Sequence, residues 1–152
     1  MSHLGRPFTM NGITLMECTA CRWVHQYPIP SAEEIKRYYE ADFWQREKPG
    51  ARERFDEQRN WWQTTWDDWL WPIGSLGAGR KLMDIGAGHG FFIEHESNRG
   101  WETFGVEASP YCPDGCYRGQ IEDGGYWQKV DLVTAFWVLE HLRDPRAFLA
   151  RA

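Results

Sequence analysis

The feature that most constrains this 152-residue chain is the run Asp84-Ile85-Gly86-Ala87-Gly88-His89-Gly90, which joins a short apolar segment to a helical one. Glycine at such a junction admits backbone angles that other residues avoid. It also lets a ligand approach the main chain with no side chain in the way. A tight turn needs one glycine, not three alternating ones with an acid downstream. That acid is Glu107, about 20 residues on at the end of the next strand-like segment, where a carboxylate accepts bonds from ribose hydroxyls. Loop and acid together predict a site for an adenosine-type cofactor.

The spacing narrows the choice of cofactor. A dinucleotide fingerprint wants its third glycine or alanine at position 91. Phe91 stands there, and Gly90 comes one residue early. The Gly-Lys-Ser/Thr of a triphosphate loop is missing. Nicotinamide and nucleoside triphosphate are both weakened as candidates.

Around the loop the chain alternates between two periodicities. Residues 81–85, 102–107 and 130–135 read as strands, and 91–97 as a helix closed by Arg99-Gly100. Asp144-Pro145 opens another helix carrying Phe148 and Leu149. Strands alternating with helices predict an α/β fold, a partial Rossmann-like doubly wound parallel sheet with an N-terminal helical segment. That segment starts after an irregular opening over residues 1–30. Ser31-Ala32-Glu33-Glu34 is a capping box for a helix over about residues 31–41. A longer helix is expected over 51–70, stopped by Pro72, with Phe55, Trp62, Trp66 and Trp69 on one face. Such a stripe more often packs on a core than roofs an apolar substrate pocket. Many of the ten tryptophans fall between residues 44 and 71. This bias, with the Gly-rich stretch 73–79, divides the chain into residues 1–75 and 76–152.

Composition excludes several partners. Net charge is −5 with no basic block, which disfavours nucleic acid. No apolar run reaches the roughly 18–20 residues of a membrane span, so no membrane partner is expected. The opening residues lack a secretory signal, so the expected location is cytoplasmic. Four cysteines are then expected as reduced thiols, with Cys112-Pro113-Asp114-Gly115-Cys116 a turn holding two of them. Cys18-Thr19-Ala20-Cys21 has metal-ligand spacing, but tetrahedral zinc takes about four ligands and no second pair precedes Cys18. His3, His25, Cys112 and Cys116 are the other donors, the last two distant in sequence. No metal is assigned.

Leu82-Met83-Asp84-Ile85-Gly86-Ala87-Gly88-His89-Gly90 resembles the first motif of class I S-adenosylmethionine (SAM)-dependent methyltransferases. Gly105-Val106-Glu107-Ala108-Ser109 is similar to their second motif. Residues 130–134 and 138–145 are similar to their fourth-strand region. The resemblance covers residues 80–152. Cys18-x-x-Cys21, Pro28-x-Pro30 and Tyr38-Tyr39 resemble the N-terminal region of a small-molecule subgroup whose domain follows a Cys-rich zinc ribbon, here degenerate. The resemblance implies SAM as cofactor and a small-molecule acceptor. It implies that Gly86, Ala87, Gly88 and Gly90 pass beneath the methionine and ribose, and that Asp84 positions the amino group. Glu107 would hold the ribose hydroxyls, Ala108, Gln120 and Ile121 would border the adenine, and Ala135 and Phe136 would meet the methionine end. Tyr39 would close loosely over the cofactor.

No catalytic residue is assigned. His141 is the one candidate base inside a family motif, more often a structural partner at such a helix start. Trp137 stands where metal-binding relatives have the first Glu of a Glu-x-x-Glu-His arrangement.

Two departures from the family pattern shape the expectation. Pro110, Pro113 and Gly115 oppose the helix usual after the second strand, and 109–119 is short for a helix and a strand. The sequence also stops at Ala152, short of the family's remaining strands. That leaves the expectation of a fragment, a degenerate relative, or a subunit completed by a copy of itself or by another chain. The alternatives to an enzyme are a non-catalytic module holding SAM or S-adenosylhomocysteine, and a remnant that docks a partner.

Overall fold

The computed structural model describes residues 3–73, 79–121 and 124–151. Two compact units emerge, Met1–Arg37 and Tyr38–Ala152. The expected boundary at residue 75 falls within 74–78, outside the described residues.

The N-terminal unit is not the irregular opening read from sequence. β1 (Gly5–Met10), β2 (Ile13–Cys18) and β3 (Val24–Gln26) form an antiparallel sheet in that order. Asn11 and Gly12, at φ 50° and 80°, make the left-handed two-residue turn that suits the twist of a hairpin. They set Met10 opposite Ile13. Helix α1 (Ala32–Arg37) follows. Its capping box forms as expected: the Ser31 amide donates to Glu34 Oε2 at 2.7 Å, and the Glu34 amide to Ser31 Oγ at 3.2 Å.

The second unit opens with a π-helical segment, Tyr38–Glu47, then α2 (Ala51–Glu57) and α3 (Arg59–Leu70). One continuous helix was expected over 51–70. It breaks at Gln58, whose amide is shared between the carbonyls of Arg54 and Phe55. The break serves packing. Phe55 stacks on Phe91 with centroids 3.8 Å apart, and Trp66 meets Phe92 at 5.5 Å.

β4 (Lys81–Ile85), α4 (Phe91–Asn98), β5 (Glu102–Glu107), β6 (Tyr117–Arg118) and β7 (Leu132–Thr134) build a parallel sheet of order β6-β5-β4-β7. Residues 82–85 of β4 are all buried, as in a strand covered on both faces. Leu82 joins Phe55, Trp66 and Phe92 in one apolar cluster. Met83 and Ile85 join Val106, Tyr126, Val138 and Phe148 in the other. The Phe–Trp stripe is therefore core at Phe55 and Trp66, half-buried at Trp62 and exposed at Trp69.

Between β5 and β6 there is no helix, in keeping with the two prolines. The expectation of two free thiols here is corrected: Cys112 and Cys116 form a disulfide, their Cα atoms 5.9 Å apart. A turn through Gly115, at φ 84°, brings them together. After β7 come a 3-10 turn, Leu139–His141, and α5 (Pro145–Leu149). Asp144 caps α5 by accepting from the Ala147 amide at 2.9 Å. Among the described residues no helix is long and apolar enough to cross a membrane.

Candidate functional site

From β4 the chain steps outward to β5 and β6, then returns to β7 on the other side of β4. The strand order reverses between β4 and β7, and in open α/β sheets ligands bind at the carboxyl ends of strands flanking such a reversal. The residues singled out from sequence collect at that end of the sheet. Residues 86–90 follow β4, Glu107 ends β5, Gln120 and Ile121 follow β6, and Ala135 and Phe136 follow β7.

The loop needs its glycines for two reasons. Gly86 and Gly88 lie at φ 78° and 54°, a region other residues enter at a cost of about 1–2 kcal/mol. They also lack room: a Cβ on Gly86 would lie 2.6 Å from Val138, and one on Gly88 3.0 Å from the Trp44 ring. The amides of Gly86 and Ala87 both donate to the Val106 carbonyl, at 2.8 and 3.0 Å.

Glu107 clamps this loop. Its Oε2 accepts from the Gly88 amide and its Oε1 from the Ser109 amide, each at 2.8 Å. The side chain is 6% exposed, and each oxygen keeps a further lone pair for a ligand. Ala108 and Ser109, just beyond, are also buried. The Gly119 amide donates to the Glu107 carbonyl at 3.0 Å, which ties the start of 119–121 to the end of β5. Gln120 is half-buried, and Ile121 packs on the core while its carbonyl accepts from the Tyr126 hydroxyl.

Asp84 lies beneath the loop, 4% exposed, with Thr134 Oγ1 donating to its Oδ1 at 2.7 Å. Burial pushes its carboxyl up to about 7; the Thr134 bond opposes this and the Glu107 charge adds to it. Across the crevice Ala135 packs on the β-sheet core. The Phe136 ring turns toward Trp69 and Phe92, at 5.2 and 5.0 Å. Tyr39 stands near Glu107 and Glu140. Burial first, then the neighbouring Tyr38, Glu107 and Glu140, push its hydroxyl up to about 12. Its ring is 5.9 Å from that of the exposed His141.

Sequence reasoning missed Trp44 and His89. Their rings meet edge-on at 4.5 Å beside the Gly88 backbone. Burial, and then the Arg52 charge, hold the His89 imidazole below its usual pKa, with Glu107 opposing. Trp44 Nε1 and His89 Nδ1 are both buried with no hydrogen-bond partner among the described residues. A buried polar atom without a partner is costly and asks for an explanation, an absent ligand being one. The only hint of Trp44 in the sequence is its place at the head of the Trp-rich stretch.

A family model described as a methyltransferase domain matches residues 51–152, from α2 through all four parallel strands. The chain belongs to the class I methyltransferase family. No curated protein and no solved structure matches it. The cofactor typical of this family is SAM, and the residues fit it on two observations. Glycines and backbone line the turn after β4, and two buried donor-capable atoms beside that turn have no partner among the described residues. In this methyltransferase Glu107 and Asp84 place two carboxyls at one end of the sheet.

Proposed function

We propose that this methyltransferase takes SAM as donor at the reversal between β4 and β7 and transfers its methyl group to a small acceptor with an apolar or aromatic surface. The observation that carries the reading is Glu107, buried at the end of β5 and bonded to the Gly88 amide. It ties the glycine turn to the acid expected to meet a ribose. SAM supplies a methyl already activated on sulfur, so the protein's part is alignment and exclusion of water. Glu107 would accept from the ribose hydroxyls, the 86–90 turn would underlie the methionine, and Ala108, Gln120 and Ile121 would border the adenine. Asp84 would face the ammonium through water. Ala135 and Phe136 would bound the methionine end, and Tyr39 and Trp44 would cover it.

The acceptor class comes from the exposed rings near β7. Trp137 is 60% exposed and left-handed at φ 53°, a strained conformation of the kind that clusters at functional sites. Its ring meets Trp62 at 5.7 Å and Trp69 at 6.1 Å. Such a patch favours a flat or apolar acceptor. A base is needed only where the accepting atom must lose a proton; His141 beside Tyr39 is the candidate. The intracellular supply of SAM supports a cytoplasmic setting.

The test is transfer from methyl-labelled SAM to a panel of small phenols, aromatic amines and aliphatic alcohols. Label on an aromatic acceptor, with a raised KM in Trp137→Ala, is the expected result. SAM binding with no transfer to any acceptor would replace this reading with that of a non-catalytic binding module. Preferential labelling of protein or nucleic acid would overturn the acceptor class.

A further inference from the structure

The N-terminal unit gathers four side chains of one chemical kind. Three strands contribute through their register. Cys18 ends β2, opposite Gly5, and His3 lies two residues before Gly5. His25 on β3 lies opposite Met16, two residues before Cys18. Successive strand residues alternate faces and directly opposed residues share one, so Met16, Cys18 and His25 fall on the same face, and His3 falls at its edge. The Leu4 carbonyl accepts from both the amide and the hydroxyl of Thr19 at 2.8 Å, which pins His3 beside Cys18. The turn from Cys18 to Trp23 closes with the Arg22 amide donating to the Cys18 carbonyl and the Cys18 amide to the Trp23 carbonyl. Cys21 is thereby carried back to the cluster.

The result is that His3, Cys18, Cys21 and His25 place one ligand atom each within 4.8 Å of one another. His3 Nδ1 is 3.1 Å from His25 Nε2 and 3.5 Å from Cys18 Sγ. A tetrahedral zinc with two sulfur and two nitrogen ligands has edges of about 3.3–3.8 Å, from Zn–S near 2.3 Å and Zn–N near 2.0–2.1 Å. The sulfur–nitrogen edge already fits, the nitrogen–nitrogen edge of 3.1 Å needs to open by about 0.2 Å, and the widest spacing needs to close by about 1 Å. The surroundings support the same ligand set. His25 Nδ1 lies 2.9 Å from the Gln26 carbonyl; as donor there it leaves the Nε2 lone pair directed at the cluster, the usual arrangement around a ligating imidazole. The Cys21 amide reaches Cys18 Sγ at 3.5 Å. Neither cysteine is in a disulfide.

Among its described residues the unit has little apolar core to add to its strand pairing. Its buried hydrophobic side chains are Met16 and Cys18, while Phe8, Met10, Ile13, Trp23 and Val24 are exposed. Chains below about 40 residues seldom fold on a core alone and are commonly completed by a metal or disulfides. The other His-and-carboxylate cluster, Asp67, His95 and Glu96, already holds Arg99 on Asp67 at 3.3 Å.

We infer that His3, Cys18, Cys21 and His25 bind one zinc ion in a closed tetrahedral site that holds the N-terminal sheet together. Thiolate with imidazole is a donor set suited to zinc. Four protein ligands leave no open position, so the ion is structural and takes no part in methyl transfer. The sequence offers His3 and His25 beside Cys18-x-x-Cys21 only as two of four further donors; the sheet brings these two to the cysteines. This inference is independent of the methyltransferase reading.

The test uses the whole chain, purified with its thiols reduced, and elemental analysis after gel filtration. About one zinc per chain is expected. Cobalt in place of zinc should give the visible bands of a tetrahedral thiolate site, and His25→Gln should weaken zinc at least tenfold, read by competition with a chromophoric chelator. Chelation should abolish hydrogen-exchange protection over residues 5–26 while β4 and β5 keep theirs. A reduced wild-type chain that takes up no zinc or cobalt overturns the inference without recourse to any variant. So does zinc held equally well by the Cys18→Ser, Cys21→Ser double variant. Unchanged protection after complete zinc removal would overturn the structural role.

Discussion

In the Tyr38–Ala152 unit, four of the five β4 residues are buried, and rings from α2, α3 and α4 close over one side of the strand. In the Met1–Arg37 unit a sheet of nearly the same number of strand residues buries, among its described hydrophobic side chains, only Met16 and Cys18. The larger unit is held by apolar area, and its buried Asp84, Glu107, Ser109 and Thr134 lie toward one end of the sheet. The smaller has its specificity in a left-handed turn, a strand register and a knot of sulfur and nitrogen atoms. Their difference separates two ways of holding a fold: the larger unit sets its crevice on a packed apolar core, and the smaller relies on turn, register and a few special side chains.

Three substitutions sharpen this contrast. Trp66→Ala should destabilise the larger unit by about 3–5 kcal/mol, since the ring is 5% exposed and its removal leaves a cavity among Phe55, Phe92 and Leu82. Denaturant unfolding followed by hydrogen exchange would show the loss in β4 and β5. Protection of β1 and β2 should not change.

Asp84→Asn probes the polar end of the same unit. The Asp84 carboxyl is raised from an ordinary 3.8 to about 7 in the fold, so between those pH values the native state keeps a proton that the unfolded chain has released. Stability from this group is therefore full below about pH 4 and falls as pH rises toward 7, by up to roughly 4 kcal/mol. The Asn variant, still able to accept from Thr134, should lack this decline. Equal pH slopes for the two proteins between pH 4 and 7 would contradict it.

The smallest effect is expected in the other unit. Phe8→Ser removes an exposed ring from β1 and should change stability by no more than about 0.5 kcal/mol. A loss approaching that of Trp66→Ala would show that apolar packing holds both units after all.

The part of the fold legible in sequence is the part with backbone or burial demands that few residues meet. The 84–90 run is readable because left-handed turns and close approach leave little but glycine, and β4 because a strand covered on both faces is apolar on both, here Leu82, Met83 and Ile85 broken only by Asp84. The Ser31–Glu34 capping box is readable because both partners lie within one turn. The N-terminal sheet is hidden because β1 exposes both of its faces and shows no alternation; Asn11-Gly12 is its one clear signal. The His3–His25 contact spans 22 residues and exists only through strand register. Trp44 reaches the loop through a π-helical segment that no period in the sequence announces. The Cys112–Cys116 bond depends on how a proline-glycine turn closes.

Glu107 is central as the link between the glycine turn and a SAM ribose, and calorimetric titration of the intact chain with SAM tests that role most directly. One binding event per chain is expected, weakened roughly ten- to a hundredfold in Glu107→Gln, as loss of bonds to a charged acceptor implies. A folded wild-type chain that binds no SAM, or a Glu107→Gln variant that binds it as tightly, would contradict the account.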